Sequence, residues 1–449
     1  MTGGSGGISS KHGPALDLPA RFMGLGMIML AAVALASPLA YPLMLGGFYA
    51  PRLLAFVHLN TLGVVAAVLM GASYQLVPVV LQTPLSSVRL GRVSFWLYLF
   101  GLLLFLPGLT LTWRPAIGLG ASLVFSGLVI YLWVIGRTLT VAPHPDVVSW
   151  HIAVGMIGLA GGISAGLLLS LNKGSGFLGS MTFRILAAHA TLMLAGWVVV
   201  MLNGVAYRLV GMFTLSEDQL WHRIAWLELL CSATGAWLFA GGLLLSVQRE
   251  LLLGASVLIL CGQALFATQL VHLYRVRRRR GFDIHIPYAL TAAASGLVAA
   301  LLLAFGLLRD TNVDDPLWIA IGWLAIAGIA ISAIQGFFYK IATFLVWLHA
   351  YAPLAGRSKV PRLEDLYDRR IARAGWFLWV GTLACSLAAL AADNHSLAVV
   401  AGIAALAALG CFLMNVARIA AHARSATTEP LDSAARGRPL RAGKEGHIS

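Results

Sequence analysis

One short pattern occurs three times in the 449-residue chain: GASYQLV at 71–77, GVAYRLV at 204–210 and GFFYKIA at 336–342. The tyrosines of the three copies, Tyr74, Tyr207 and Tyr339, are almost equally spaced along the chain. A repeat at a fixed period predicts successive copies of one structural unit. A tyrosine followed by a polar or basic residue is also a common anchor at a membrane interface. That role alone does not require the equal spacing.

Each copy lies in a long apolar run, and twelve such runs follow one another along the chain. The chain is 59% hydrophobic and 11% charged, whereas soluble domains have roughly 45–50% apolar and about 25% charged residues. This composition excludes a large soluble protein, a disordered chain and a disulfide-rich secreted fold. A bilayer core needs about 20 apolar residues per helix. We predict transmembrane helices near 21–47, 52–80, 91–112, 115–136, 149–172, 185–209, 223–246, 251–274, 286–308, 316–350, 372–392 and 397–420.

The three tyrosines fall in the second, sixth and tenth of these runs, which are equivalent positions in successive groups of four. The sequence therefore predicts an all-α polytopic membrane protein with twelve transmembrane helices in three pseudo-threefold four-helix units. The predicted parts are a cytoplasmic N-terminal segment at 1–20, a membrane domain at 21–423 with repeat units at about 21–140, 148–275 and 285–420, and a disordered cytoplasmic tail at 424–449.

The net charge of +14 is explained by the predicted topology. If the N-terminus is cytoplasmic, 24 of the 31 basic residues lie on the cytoplasmic side, six lie outside and Lys340 lies inside a helix. Such a bias is typical of a correct orientation. We therefore predict a multi-pass protein of a bacterial inner membrane with both termini cytoplasmic. The lipid bilayer, rather than a nucleic acid, is the expected partner of the basic residues.

Two histidines have similar positions relative to the repeated tyrosines. His58 precedes Tyr74, and His189 precedes Tyr207, by similar intervals of several helical turns, whereas the third unit has no counterpart at 321–323. Both are therefore expected at similar depth near the outer ends of their helices. Neutral imidazole binds haem iron and also copper. The pair predicts a haem site, with copper as the second choice, or else two interfacial histidines that bond to neighbouring carbonyls.

Three further polar residues are weaker candidates for chemistry. His151 begins the fifth helix and His349 closes the tenth, both near the inner face. The glycine-rich stretch after His151 would let another helix or a flat macrocycle approach closely. Glu228 lies well inside the seventh helix, where it is either a proton-relay group or a partner of Arg208 or Arg223.

With His58, the segment 71–78 and the repeat, the chain resembles the haem–copper oxidase subunit I superfamily over about 20–420. The segment 339–349 is similar to the end of helix 10 in small subunit-I-like proteins. The resemblance implies twelve helices in three groups of four about a pseudo-threefold axis. It also implies that His58 occupies the position of a haem-ligating histidine in helix 2.

The motifs of the family's copper site are missing. That family has a His-Pro-Glu-Val-Tyr-like motif in helix 6, a His-His pair in helix 7 and His-x-His in helix 10, but this chain has neither His-His nor His-x-His. His189 resembles the helix 6 copper ligand only in its helix and side. His222, in helix 7, lies at the inner end. Because the family's haem ligand in helix 10 is also absent, His189 is the best substitute within the chain.

These observations predict a haem-binding membrane protein without a complete haem–copper centre. It would take part in respiratory electron transfer or bind oxygen or nitric oxide, with a redox subunit or a cytochrome as partner. One alternative is a transporter or channel for a small solute, haem or a metal ion. Another is an oxidoreductase of the oxygen or nitric oxide reductase type with unusual ligands.

Overall fold

A computed structural model of the chain describes residues 16–143, 145–279, 283–312, 314–355 and 360–435, with side chains through residue 423. Most of these residues are helical, and no β-strand occurs among them. Twelve helices are long and apolar enough to cross a membrane, which confirms the predicted all-α membrane class. They are α1 Asp17–Leu45, α2 Pro51–Val80, α3 Val88–Leu111, α4 Arg114–Thr140, α5 Val147–Ser175, α6 Gly179–Thr214, α7 His222–Leu245, α8 Arg249–Arg275, α9 His285–Leu308, α10 Pro316–Ala350, α11 Arg369–Ala392 and α12 His395–Ala423.

The beginning of α6 and the end of α12 differ most from the sequence prediction. Helix α6 begins earlier than predicted because a short 3-10 turn, Gly179–Met181, precedes its α-helical part. Helical backbone also continues beyond α12 to Ala435, although we predicted disorder from 424. The stretch ARIAAHARSA at 417–426 has high helix propensity and no glycine that would end the helix. The rest of the predicted terminal segments, at 1–15 and 436–449, lies outside the described residues.

The helices that carry the repeated tyrosines share an unusual feature. Each contains an eight-residue π-helical stretch: Leu59–Ala66 in α2, Leu192–Val199 in α6 and Leu324–Ile331 in α10. The three stretches begin at the same intervals along the chain as the tyrosines. These are also the three most buried of the twelve helices. π-helical turns are rare in proteins, and those that occur are often at functional sites. Their recurrence therefore makes the middle of these helices a candidate functional region.

Contacts between helices recur with the same period. The third and fourth helices of each successive group of four pack closely together, as α3 with α4, α7 with α8 and α11 with α12. The groups are joined by contacts of α4 with α5, α8 with α9 and α12 with α1. The first and last helices of the chain are therefore neighbours.

Glycines bring α5 and α6 unusually close together. A Cβ atom added at Gly158 of α5 would collide with the backbone of Gly196 in α6, and one at Gly162 would meet Met193. Absence of a side chain at a helix–helix contact lets the two backbones approach. The glycine-rich face was expected to allow the close approach of either another helix or a flat macrocycle. The structure shows the close approach of a helix. The close contact also places the beginning of α6, which contains His189, against α5.

Candidate functional site

The structure brings His58 of α2 and His189 of α6 together. Their ring centres are 6.5 Å apart and their planes are inclined by only 16°. Each histidine lies just before the π-helical stretch of its helix. The two most prominent sequence candidates therefore form one site.

Both rings are oriented by backbone carbonyls. Nδ1 of His58 lies 2.7 Å from the carbonyl oxygen of Leu54, and Nδ1 of His189 lies 2.7 Å from that of Gly162. Since a carbonyl can only accept, each Nδ1 donates, and each neutral ring keeps its lone pair on Nε2. A metal-binding histidine is typically held in this way. The same bond would occur in a purely interfacial histidine, so the pairing of the two rings is the distinguishing observation.

Neighbouring helices also fix the positions of the rings. A Cβ atom added at Gly166 of α5 would lie 2.8 Å from Cε1 of His189 and 3.2 Å from its Nδ1. A larger residue at this position would therefore displace the ring. Phe105 of α3 packs edge-on against His58, with ring centres 5.3 Å apart.

The two histidines line a partly open cavity of about 190 Å³ among helices α2 to α6. Most of its wall is apolar, but Thr61, Ser170, Lys173 and Trp197 also line it. The ammonium nitrogen of Lys173 lies 3.5 Å from the ring centre of Tyr49. Nε1 of Trp197 is buried and has no hydrogen-bond partner among the described residues. We call this space the two-histidine cavity.

The two weaker histidine candidates lie elsewhere. His349 is exposed at the end of α10, where its Nδ1 bonds to the carbonyl of Leu345 at 2.9 Å. His151 is fully buried, with Nδ1 2.7 Å from the carbonyl of Val147 and Nε2 2.7 Å from Oε2 of Glu228. Both of its nitrogens have polar partners within the protein, and His151 does not line the cavity that contains His58 and His189.

Glu228 is the centre of a second buried polar group. Its Oε1 accepts hydrogen bonds from Asn203 at 2.9 Å and Ser232 at 2.8 Å. Its Oε2 accepts from Tyr207 at 3.0 Å and contacts His151. All five side chains are buried. We call these residues, His151, Asn203, Tyr207, Glu228 and Ser232, the carboxylate cluster.

Of the two alternatives for Glu228, a proton relay or an arginine partner, the structure does not display the arginine partner in the part of the chain that it describes. Among the described residues, its polar contacts include neither Arg208 nor Arg223. Arg208 instead pairs with Asp146 at 3.0 Å and lies 3.9 Å from Glu217. The side chains of both acids are about half exposed, so the arginine meets them at the protein surface.

The sequence held a signal for the carboxylate cluster that we missed. Asn203 and Tyr207 are four residues apart, as are Glu228 and Ser232, so each pair lies on one face of its helix. Two such polar faces within apolar helices predict a contact between them. Nothing in the sequence pointed to Lys173 and Trp197 as residues of a common cavity.

We compared the chain with protein-family models and with curated proteins. No family model matches it, and no curated protein matches it.

Proposed function

We propose that this protein is a membrane haem protein in which His58 and His189 would hold the haem iron. The observation that carries the proposal is the pair of nearly parallel imidazoles, whose ring centres are 6.5 Å apart. Imidazole nitrogens bind a metal at about 2 Å, so two rings at this separation are close enough to reach one iron.

The number of ligands favours haem over a bare copper ion. Copper or zinc sites take three or four ligands from the protein, but no group of three His, Cys, Asp or Glu residues suited to a metal exists in the described part of the chain. A porphyrin already supplies four nitrogens, so that one or two protein ligands suffice. Two histidines are therefore enough for haem and too few for copper.

The surroundings of the histidines suit a porphyrin chemically. The apolar wall of the two-histidine cavity would pack against the macrocycle, and Lys173 would pair with its acidic side groups. The cavity, at about 190 Å³, is smaller than the roughly 300–1,000 Å³ of typical ligand pockets. We therefore expect flexible lining side chains such as Met193 and Leu167 to move when the macrocycle binds.

Two protein ligands favour electron transfer over the binding of oxygen or nitric oxide. A haem supplies one-electron redox chemistry when bound. His58 and His189 would hold and orient it, and the apolar wall would exclude water and tune its potential. If both imidazoles were bound to the iron, no position would be left for a gas. We therefore prefer the function of a respiratory electron carrier, which would exchange electrons with a redox subunit or a cytochrome.

The proposal includes an architecture like that of haem–copper oxidase subunit I. Three four-helix units about a pseudo-threefold axis are supported by the equal spacing of the π-helical stretches and by the recurring helix pairs. An orientation with both termini in the cytoplasm of a bacterium is supported by the distribution of the basic residues.

The absorption spectrum of the protein tests the proposal. After expression with haem available, the purified wild-type protein should have a Soret band. The double variant His58→Ala/His189→Ala should lose it, while His349→Ala, which changes an exposed histidine, should retain it. A folded wild-type protein without a Soret band would overturn the proposal. Solute flux in proteoliposomes of such a haem-free protein would instead support a transporter.

A further inference from the structure

The carboxylate cluster has no part in the proposed haem site, yet it buries a carboxyl group and an imidazole. The carbonyl of Val147 accepts a hydrogen bond from Nδ1 of His151, so that nitrogen carries a hydrogen. Nε2 of His151 and Oε2 of Glu228 are 2.7 Å apart, and one proton must lie between them to join them. In this one-proton state we place the proton on the ring, so that Glu228 is a carboxylate and the pair is electrically neutral.

The cluster can also accommodate a second proton, on Oε1 of Glu228. This oxygen accepts hydrogen bonds from Asn203 and Ser232. A serine hydroxyl is both a donor and an acceptor, so Ser232 can rotate and accept a hydrogen bond from a protonated Oε1. The hydroxyl hydrogen can then reach the backbone carbonyl four residues earlier in the helix. No buried polar group is left unpaired by this change.

A partly exposed ion pair lies near the carboxylate cluster on helices α5 and α6. Arg208 follows Tyr207 directly, and its ion pair with Asp146 is about one-third to two-fifths exposed. Asp146 caps the N-terminus of α5 and lies five residues before His151, which corresponds to about 8 Å of helix rise. Nε of Arg208 is buried without a hydrogen-bond partner among the described residues.

We propose that the carboxylate cluster is a proton-binding site that exchanges protons with the membrane face where Asp146 and Arg208 lie, and that it alternates between one and two shared protons. The proposal does not depend on haem. The neighbouring helices place four titratable or charged groups near Glu228: His151 and Asp146 on α5 and Tyr207 and Arg208 on α6. Its own helix, α7, adds Cys231. Helix α8 contributes the ring of Phe266 beside Tyr207.

Infrared difference spectra of the full-length protein between neutral and acidic pH test the proposal. We expect the C=O stretching band of a protonated carboxylic acid to grow as the pH falls and to shift in D₂O. The band should be lost in Glu228→Gln and retained in Glu217→Gln, a matched control because Glu217 is half exposed near the same arginine. Absence of a pH-dependent band, or its persistence in Glu228→Gln, would overturn the proposal.

A second variant tests where the added proton lies. In Ser232→Ala the acid would lose its hydrogen-bond acceptor, so the carboxylic band should move to higher frequency. An unchanged frequency would show that Ser232 does not accept the second proton and would contradict the proposed two-proton state. These spectra can be recorded without haem, so a failure here and a failure to bind haem remain distinct results.

Discussion

The imidazole rings of His58 and His189 are nearly parallel, with centres 6.5 Å apart, although the two residues lie on different helices, α2 and α6. Each ring is held by a backbone carbonyl through Nδ1. Both lie beside the start of a π-helical stretch. The two histidines thus lie at corresponding points of α2 and α6, and the Nε2 lone pair of each neutral ring is not used by the bond at Nδ1.

Removing one histidine should open a coordination position. In His189→Ala, haem held by His58 would have one free face, so the reduced protein should bind carbon monoxide with a shift of its Soret band. The wild-type protein should not bind it if, as proposed, His58 and His189 are both ligands. Added imidazole should reverse the effect in the variant. Carbon monoxide binding by the wild-type protein to the same extent would show that His189 is not a ligand.

Gly166 should be required for the position of His189. A Cβ atom in Gly166→Ala would lie 2.8 Å from the ring, and such overpacking costs about 1–3 kcal/mol. We expect haem affinity to fall about tenfold, as measured by haem titration of the apoprotein. Gly174→Ala is the control on the same helix, because nothing lies within 4 Å of an added Cβ there. Equal haem affinities of the two variants would count against the proposed ligand position.

An ion pair at the beginning of α9 should stabilise the fold. Asp283 pairs with the buried Lys340 of α10, and its Oδ1 lies 3.0 Å from Nδ1 of His285. In Asp283→Asn, Lys340 would remain buried without its counter-charge, which costs roughly 3–5 kcal/mol. Thermal unfolding in detergent at neutral pH should detect this loss. Asp310→Asn, which removes an exposed acid, should change stability by less than about 1 kcal/mol.

The same pair predicts a dependence of stability on pH. Burial alone would raise the pKa of Asp283, but His285 and Lys340 together outweigh it and hold the pKa well below its usual range. A lowered folded-state pKa stabilises the protein above the unfolded value of about 4, and this stabilisation is lost as the pH falls towards the folded value. The difference in stability between wild type and Asp283→Asn should therefore shrink below about pH 4. A constant difference would contradict the assignment.

The membrane spans were predictable because length and apolarity are local properties. The seventh helix, for example, was expected at 223–246 and runs over His222–Leu245. The residues at which a helix widens into a π-helical stretch were not predictable, since that geometry depends on packing. The repeated tyrosines nevertheless pointed to the three helices in which it occurs.

The sites were predictable only in part. Equivalent positions in the repeat identified His58 and His189, but their distance depends on how α2 and α6 pack. Glu228 was recognised as an unusual buried acid, with a proton relay and an arginine partner as the two alternatives. Opposite charge suggested Arg208, but the arginine pairs with Asp146 near the surface. The buried carboxylate is satisfied instead by donors from three helices.

The haem and metal content of the purified wild-type protein tests the central claim most directly. A pyridine haemochrome assay and metal analysis of the same sample should give about one haem iron per chain and no stoichiometric copper. A folded protein that contains no haem after expression with haem available, or that contains copper in its place, would contradict the assignment of His58 and His189 as haem ligands.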